Sequence, residues 1–327
     1  MTAKSKVAIV TQELDPHAEA VMGHLGNLGV QCVRFHPFSL LSDWQISVDL
    51  DVLDDSCVGV ISSGRRVKFS ELRSVYYRKP DQPNVVGTDE SIDRFRFEEA
   101  CGARDALFQL FDALWFNNPF IARRSGHKLY QMHIARKFGL LTPRTLMTNQ
   151  PELALEFVRR EPGQCAVIKP LGGFAAVVDG RVRQCKCRKV TLSDLLEMES
   201  SISASPVILQ QYLPKRRDLR VTVINESVVA CAIHSQEALA ATVDWRNVPP
   251  DLLRHEIVDL SPELVNTLRQ LQVAFQVPFG AIDLVEDRDG QFWFLENNLN
   301  GQWLWIEHLT GYPLARTMAT ALANHAG

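Results

Sequence analysis

The sequence lacks the features that mark membrane-spanning and secreted proteins. No stretch approaches the roughly 18 consecutive apolar residues that a membrane span requires. The apolar run near the start has neither the length nor the cleavage site of a signal peptide. Seven cysteines are scattered along the chain: Cys32, Cys57, Cys101, Cys165, Cys185, Cys187 and Cys231. Because an odd, scattered set of thiols indicates a reducing compartment, we expect a cytoplasmic protein.

An excess of charge of one sign is also missing. The chain has 35 Lys and Arg residues against 38 Asp and Glu residues, a formal net charge of −3. Bulk electrostatics therefore predict neither a nucleic-acid partner nor a membrane partner. The apolar share of 46% and the charged share of 22% are typical of a globular protein. A length of 327 residues predicts two or three structural units.

Two common site motifs are absent as well. No Gly-x-Gly-x-x-Gly follows the first predicted strand, so the sequence has no dinucleotide fingerprint. Cys185 and Cys187 form a Cys-x-Cys, but no second Cys or His pair lies at a zinc-ligand spacing. A strand with ordinary thiols is therefore favoured over a zinc site.

The first 120 residues alternate short apolar strands with helical stretches, which predicts a small open α/β domain. The predicted strands are Val7–Thr11, Cys32–Phe35, Val58–Ser62 and Val75–Tyr77, and the predicted helices are 17–28 and Phe95–Leu114. The last strand runs into Tyr76–Pro80 (YYRKP), which is either a ligand-facing edge or a capped sheet end. Composition favours the capped end.

The stretch Phe279–Asn298 reads as two apolar strands joined at Asp289-Gly290, a strong signal for a two-residue hairpin turn. Centring the turn there places Asp283 opposite Glu296, and directly opposed residues share one face. The period of two adds Asn298 to that face and turns Asn297 away. Two close carboxylates repel unless a cation lies between them, and hard oxygen ligands suit Mg²⁺. The alternative is a solvated pair of acids on an exposed face.

Between these regions, a helix is predicted at Lys128–Phe138 and a buried strand at Cys165–Lys169, before Pro170 and Gly172-Gly173. A lysine at the end of an apolar strand and before a glycine loop is well placed to meet a phosphate, although a surface lysine beside a turn is the alternative. A hairpin predicted at 175–190 carries Arg181, Arg183, Lys186, Arg188 and Lys189. These basic residues either form a solvated face or lie over the glycine-rich loop that follows Lys169.

Further along, strands are predicted at Val207–Tyr212, Asp218–Val223 and Val228–His234 and helices at Thr191–Glu199, 261–275 and from Pro313 onward. In the second of these strands, alternation places Asp218, Arg220 and Thr222 on one face.

The order of these motifs, from Lys128 to Asn298, resembles the ATP-grasp superfamily from about residue 120 to the end of the chain. The domain before it looks like that superfamily's usual amino-terminal domain. The match is closer to the graspetide macrocyclases of the microviridin type, which mature ribosomally made peptides. The stretches that carry this closer resemblance are YYRKP, VDWR at 243–246 and NGQWLWIEHLTG at 300–311.

The resemblance implies a fold, a set of roles and a division of the chain. The implied fold is an α+β ATP-grasp architecture with antiparallel sheets behind the open α/β domain. Its implied units are 1–120, a central lobe at 121–206 with a lid hairpin, and a carboxyl-terminal lobe at 207–327. The implied nucleotide-binding residues are Lys128, Lys169, Gln210, Gln211, Tyr212, Leu213 and Asp218. The implied Mg²⁺ ligands, for two ions, are Asp283, Glu296 and Asn298, and Arg220 and Arg246 match positions that face the carboxylate being activated.

The expected activity is that of an ATP-dependent ligase. It would activate Asp or Glu side chains of a precursor peptide as acyl phosphates and join them to Ser, Thr or Lys of the same peptide. The implied partners are a precursor with a leader and an acidic core, bound near 181–199, and a second copy of the chain in a homodimer. The alternatives are a RimK-like or glutathione-synthetase-like ligase that adds a free amino acid, and a nucleotide-dependent peptide-binding subunit without turnover.

Three positions depart from the superfamily pattern. Gln211 stands where many members have Glu, the glycine loop at 172–180 is sparse, and Leu299 stands where relatives often have a small residue or proline. None of these departures removes a charged group that the chemistry needs.

Overall fold

The computed structural model describes residues 6–52, 58–61, 66–87, 89–172, 175–178, 181–184 and 187–324. The amino-terminal part contains β1 (Lys6–Thr11), β2 (Gln31–Phe35), β3 (Trp44–Ser47), β4 (Val58–Ile61), β5 (Arg66–Lys68), β6 (Leu72–Arg78) and β7 (Leu114–Phe116). Its helices are α1 (Pro16–Asn27), α2 (Leu40–Asp43) and α3 (Glu90–Leu110). Strands β2-β1-β6-β7 form a parallel sheet in that order, as expected of an open α/β unit. A separate antiparallel sheet, β3-β4-β5, had not been predicted in full because only β4 carries a clear apolar run.

The central part is a four-stranded antiparallel sheet in the order β12-β9-β13-β8. Its strands are β8 (Thr145–Thr148), β9 (Cys165–Lys169), β12 (Arg188–Thr191) and β13 (Val207–Gln211), and β10 (Ala175–Val178) and β11 (Arg181–Gln184) form a hairpin of their own. The helices here are α4 (Pro119–Ser125), α5 (Lys128–Lys137), α6 (Pro151–Arg160), α7 (Leu192–Glu197) and α8 (Glu199–Ala204). Apolar residues of α6, α7 and α8 pack against one face of the sheet and bury it.

The carboxyl-terminal part is a five-stranded antiparallel sheet in the order β16-β15-β14-β17-β18. Its strands are β14 (Lys215–Ile224), β15 (Ser227–Ile233), β16 (His255–Val258), β17 (Phe279–Asp287) and β18 (Phe292–Asn298). Its helices are α9 (Pro262–Phe275), α10 (Leu304–Thr310) and α11 (Leu314–Asn324). Strand β17 lies between β14 and β18 and is buried along nearly all of its length, which explains its continuous apolar sequence.

The hairpin β17–β18 contains the predicted pairing of Asp283 with Glu296, but its turn and its register differ from the prediction. The backbone N–H of Asp287 donates to the carbonyl of Gln291 at 3.0 Å, so the loop has three residues and ends at Gly290, whose φ is 79°. The predicted two-residue turn, with Arg288 opposite Gln291, is therefore wrong. A β-bulge next to Leu284 inserts one extra residue into β18 and restores Asp283 opposite Glu296.

Three predicted elements have other boundaries. The helix predicted at Phe95–Leu114 occupies Glu90–Leu110, because Asp89 caps its start and β7 takes up the end of the predicted range. The helix predicted at 191–199 is split into α7 and α8. The long basic hairpin predicted at 175–190 is wrong, since β12 leaves it and pairs with β9.

The amino-terminal and carboxyl-terminal parts share one apolar core. Helices α1 and α11 pack together, and the fully buried indole of Trp303 lies in the same cluster as Ile9 of β1. The Asn117 side chain after β7 donates to the carbonyls of Phe279 and Leu299, both at 2.7 Å. This amide therefore holds the two ends of the β17–β18 hairpin. Within the described ranges, no helix combines the length and the apolarity that a membrane crossing needs. The division into units at 120 and 206 stays a prediction.

Candidate active site

A cleft with an empty volume of ≈ 650 Å³ lies between the central and carboxyl-terminal sheets. One wall is built by the ends of β9 and β13, and the other by β14, β17 and β18. Most of the predicted site residues line it: Lys169, Gln210, Gln211, Tyr212, Leu213, Asp218, Arg246, Asp283 and Glu296. Residues that lie up to 127 positions apart in the sequence thus meet in one cleft, as the order of the motifs had implied.

The acid pair Asp283 and Glu296 lies at one end of this cleft on adjacent strands. Arg220 Nε donates to Asp283 Oδ1 at 2.8 Å, and Arg246 Nη1 lies 3.3 Å from Glu296 Oε1. Burial, opposed by Arg220 and reinforced by Glu296, raises the pKa of Asp283 to about 6. Burial also acts to raise the pKa of Glu296, but Arg246 and other nearby cations outweigh it and hold this pKa below its usual value. The pair is therefore not a solvated face, and that alternative is wrong.

Lys128 and Asn298 complete the surroundings of Glu296. Lys128 Nζ, at the start of α5, lies 3.7 Å from Glu296 Oε2 and also donates to the carbonyl of Leu171 at 3.5 Å. Asn298 Nδ2 donates to Glu296 Oε1 at 3.4 Å. Asn297 points the other way, into a buried network with Gln131 and Gln272, as the alternation had predicted.

The oxygen atoms at this end of the cleft fit a magnesium ion. Two carboxylates and the side-chain amide of Asn298 come together, and carboxylate and amide oxygens are the hard ligands that Mg²⁺ prefers. The three cations that contact the carboxylates here are Lys128, Arg220 and Arg246, and they occupy the acids' oxygens when no metal does. Among the residues that the structure describes, no group of three or more His, Cys, Asp and Glu side chains that could hold a metal comes together, so the fit at this site depends on the two carboxylates and one amide.

Lys169 is held inside the cleft by a neutral partner. Its ammonium donates to Gln210 Oε1 at 2.6 Å, and Gln210 Nε2 donates in turn to Thr145 Oγ at 3.1 Å. Burial is the largest cause that lowers the pKa of Lys169. A buried ammonium without a carboxylate partner gains most from an incoming anion, so the phosphate interpretation is favoured over a surface lysine.

Tyr212 and Gln211 line the cleft beyond Lys169. The ammonium of Lys189 in β12 lies 4.4 Å from the centroid of the Tyr212 ring, a cation–π contact. The Gln211 side chain accepts from the backbone N–H of Arg144 at 3.2 Å. Gln211 thus fastens β13 to the start of β8, and its amide is partly engaged before any ligand is bound.

The buried carboxylate of Asp218 is hydrogen-bonded by neighbouring side chains. Its carboxylate accepts from both Lys215 Nζ, at 2.7 and 2.8 Å, and Ser235 Oγ, at 2.5 Å. Burial is the largest cause that raises its pKa, and Lys215 opposes that shift. Lys215 was missed as a site residue, because the sequence places it only in a basic run at 215–217.

Arg246 stands on a short loop that joins two sites. Asp244 Oδ1 accepts from Arg246 Nε at 2.8 Å, and this bond together with nearby acids raises the pKa of Arg246 against the effect of burial. The same arginine lines a second cavity, with an empty volume of ≈ 920 Å³, beside the cleft. The predicted residues Arg220 and Asn298 line that cavity as well, together with Lys79, Trp245 and Trp305. Asp244 was not predicted individually, although it belongs to the VDWR stretch.

Some predicted features lie outside the described residues. These are Cys185 of the Cys-x-Cys, Gly173 of the glycine loop, Lys186 and the side chains of Arg181 and Arg183.

Comparisons with known proteins identify what the chain resembles. Residues 127–248 match the family described as prokaryotic glutathione synthetase, ATP-grasp domain. A glutathione synthetase from Thermosynechococcus vestitus is 31% identical over 114 residues, which cover 34% of this chain and 33% of that protein. The match thus spans about a third of the curated relative.

Two solved structures resemble the whole chain. A RiPP-associated ATP-grasp ligase from Chryseobacterium gregarium, in complex with ADP and with a leader and core peptide, gives a TM-score of 0.90 at 24% identity and covers 98% of this chain and 97% of that one. The macrocyclase MdnC from Microcystis aeruginosa, bound with the precursor peptide MdnA, gives 0.85 at 24% identity and covers 97% and 99%. The predicted ATP-grasp fold is confirmed.

Proposed function

We propose that this chain is an ATP-dependent carboxylate ligase that closes macrocycles within a ribosomally made peptide. The observation that carries the proposal is the meeting of two sites at Arg220 and Arg246. The cleft on one side has the residues for a metal-bound nucleotide, and the cavity on the other side is open and lined by cations. A carboxylate in the cavity can thus approach a phosphate in the cleft.

In the cleft, Lys128 and Lys169 would hold the phosphates, and Asp283, Glu296 and Asn298 would hold Mg²⁺ as two ions. The stretch 210–213 and Asp218 would border the base and the ribose. Bound ATP and Mg²⁺ supply the phosphoryl group and the charge neutralisation by which a carboxylate becomes an acyl phosphate.

Arg220 and Arg246 would orient the substrate carboxylate. Their planar guanidinium groups suit a carboxylate and the oxyanion that develops from it. A carboxylate oxygen bonds to the γ-phosphorus as ADP leaves, and a hydroxyl or amine of the same peptide then bonds to the acyl carbon as phosphate leaves. The net result is the loss of one water from the peptide, as an ester or an amide.

The proposed partner is a precursor peptide with a leader and an acidic core, in the cytoplasm, and the proposed assembly is a homodimer. The C. gregarium and M. aeruginosa proteins, each solved with its peptide, support the peptide partner. The second cavity, with an empty volume of ≈ 920 Å³, is larger than a single small amino acid requires.

A second candidate is a ligase that adds a free amino acid to a carboxylate. The match of residues 127–248 to the glutathione synthetase domain favours it. The two candidates share the activation step and differ in the nucleophile, which is an external amine in one and a group of the same peptide in the other.

The test is to incubate the protein with ATP, Mg²⁺ and the acidic peptide encoded beside its gene, and to measure the peptide mass. The macrocyclase predicts the loss of one water per ring without added amino acid. A mass gain that depends on a free amino acid, with no loss of water from the peptide alone, would favour the second candidate.

A further inference from the structure

Lys79 is a cation without a partner in the second cavity. It follows β6 in the YYRKP stretch, and it lines this cavity together with Arg220, Arg246 and Asn298. Among the described residues, Lys79 makes neither an ion pair nor a hydrogen bond, and its side chain is partly exposed. The other cations named at the two sites contact an acid or another polar group or, in the case of Lys189, the ring of Tyr212. Lys79 is thus free to bind a partner from outside the chain.

The backbone at Lys79 is held in an unusual conformation. Its φ is 39°, in the left-handed region that residues with a side chain seldom adopt. Pro80 follows, and a proline disfavours helical conformations at the residue before it. A capped sheet end needs no such geometry, and strained residues of this kind gather at ligand sites.

A buried polar network fixes the position of Lys79. The adjacent Arg78 donates through Nη1 to the carbonyl of Asn300 at 2.8 Å, and its Nη2 lies 3.3 Å from His17 Nδ1. His17 Nε2 accepts from the backbone N–H groups of Trp303 and Leu304, both at 3.2 Å. The network therefore ties the amino-terminal part of the chain to residues 300–304, of which 300–302 line the cavity.

The charge around Lys79 also favours an anionic ligand. Burial, together with the neighbouring charges of Arg78 and Arg220, lowers the pKa of Lys79. Within the described part of the chain, the acid that acts on it in the opposite direction is Asp15, which is already engaged by His17 and Thr11. A carboxylate that entered the cavity would relieve this repulsion between cations.

We infer that Lys79 binds a side-chain carboxylate of the peptide substrate, so that the amino-terminal domain supplies one wall of the acidic-residue site. This inference rests on the proposed function and adds a substrate contact from the amino-terminal part of the chain, whose described residues do not line the nucleotide cleft. Trp245 and Trp305 line the same cavity.

The test is a binding cycle with the intact protein in the presence of ADP and Mg²⁺. The probe is a peptide with a single reactive acid, and its matched partner carries the corresponding amide. The dissociation constants are measured for the wild-type protein, for Lys79→Met, for Lys79→Arg and for Lys137→Met, which removes an exposed lysine at the end of α5.

We expect Lys79→Met to weaken binding of the acidic peptide about tenfold, the equivalent of about 1.4 kcal/mol, and to leave binding of the amide peptide unchanged. Lys79→Arg should restore most of the affinity, and Lys137→Met should have no effect. ADP binding should be unchanged in every variant, which also reports that each one folds.

An equal loss for both peptides, or no loss for either, would overturn the role of Lys79. A wild-type protein that binds ADP but binds and modifies no acidic peptide would instead overturn the proposed function, so the two failures can be told apart.

Discussion

The cleft and the second cavity are both lined by cations, but the cations differ in whether they have a partner within the chain. In the cleft, Lys169 is held by Gln210, Lys128 lies beside Glu296, and Arg246 is paired with Asp244. In the cavity, Lys79 has no partner among the described residues. A site whose charges are balanced from within can exchange its internal ion pairs for a metal and phosphates. A site with an unbalanced cation is suited to an anion that it has not yet bound.

The largest effect on turnover should come from a substitution of Glu296, which lies beside both Lys128 and Arg246. Glu296→Gln removes a proposed metal ligand and the charge beside Lys128 and Arg246. Turnover should fall by at least about 100-fold, since even outer partners of metal ligands are worth 10–100-fold. Ring formation measured by peptide mass against time checks this.

The matched control is Asp289→Asn, which removes an exposed acid from the turn of the same hairpin. It should retain full turnover. Near-normal activity of Glu296→Gln would refute the assignment of the metal site.

Variants of Arg220 and Arg246 should both lose activity but should differ in stability. Arg220→Met leaves the buried Asp283 without its ion pair, and loss of one partner of a buried pair costs about 3–5 kcal/mol of unfolding free energy. The side chain of Arg246 is 46% exposed, so Arg246→Met should cost less than about 1 kcal/mol. Urea unfolding measures both.

The double variant Arg220→Met with Asp283→Asn should lose less stability than the sum of the two single variants, because they share one interaction. Both arginine variants should be impaired in ring formation. If Arg220→Met were as stable as the wild-type protein, the bond to Asp283 would not contribute to the fold.

Lys169→Met should weaken ADP binding by roughly 10–100-fold, the equivalent of about 1.5–3 kcal/mol for a hydrogen bond to a charged group. The lost contact is the one that Lys169 would make with phosphate in place of Gln210. Calorimetric titration with ADP and Mg²⁺ measures it. An unchanged dissociation constant would remove Lys169 from the nucleotide site.

The smallest effect concerns the network behind Lys79. Burial acts to raise the pKa of Asp15, but His17, Arg78 and Thr11 outweigh it and lower the pKa from 3.8 to about 2. Because the folded-state pKa is depressed, Asp15 stabilises the fold above the unfolded-state value, and this stability is lost as the pH falls from about 4 to 2.

Asp15→Asn should therefore remove about 2 kcal/mol of unfolding free energy at neutral pH and leave a flatter acid limb. Thermal unfolding of the wild-type protein and of Asp15→Asn between pH 2 and 7 measures how the stability of each depends on pH. A variant with the same acid limb as the wild-type protein would show that Asp15 is not engaged in the folded state.

The sequence predicted the acid pair better than it predicted the hairpin that carries it. Asp283 lies opposite Glu296, yet the predicted turn is one residue shorter than the loop, and the sequence does not predict the bulge in β18. The two errors cancel at the acids. Alternation is a local property that residues report directly, whereas a bulge depends on packing against neighbouring strands.

The second cavity could not be predicted as a site. It brings Lys79 of the amino-terminal domain next to Arg246 and the loop 300–302, and no spacing in the sequence reports such long-range contacts. The family resemblance of YYRKP was visible, but composition favoured a capped sheet end. Lys215 was missed for a similar reason, since its bond to Asp218 becomes evident only in the sheet.

The central claim is that a substrate carboxylate in the second cavity, oriented by Arg220 and Arg246, is phosphorylated by ATP bound in the cleft. The most direct measurement uses a peptide whose reactive carboxylate carries a heavy isotope in both of its oxygens and follows these oxygens during ring formation. The account predicts that each ring formed transfers one heavy oxygen to the released phosphate. Heavy oxygen that appears only in water, with none in the phosphate, would contradict it.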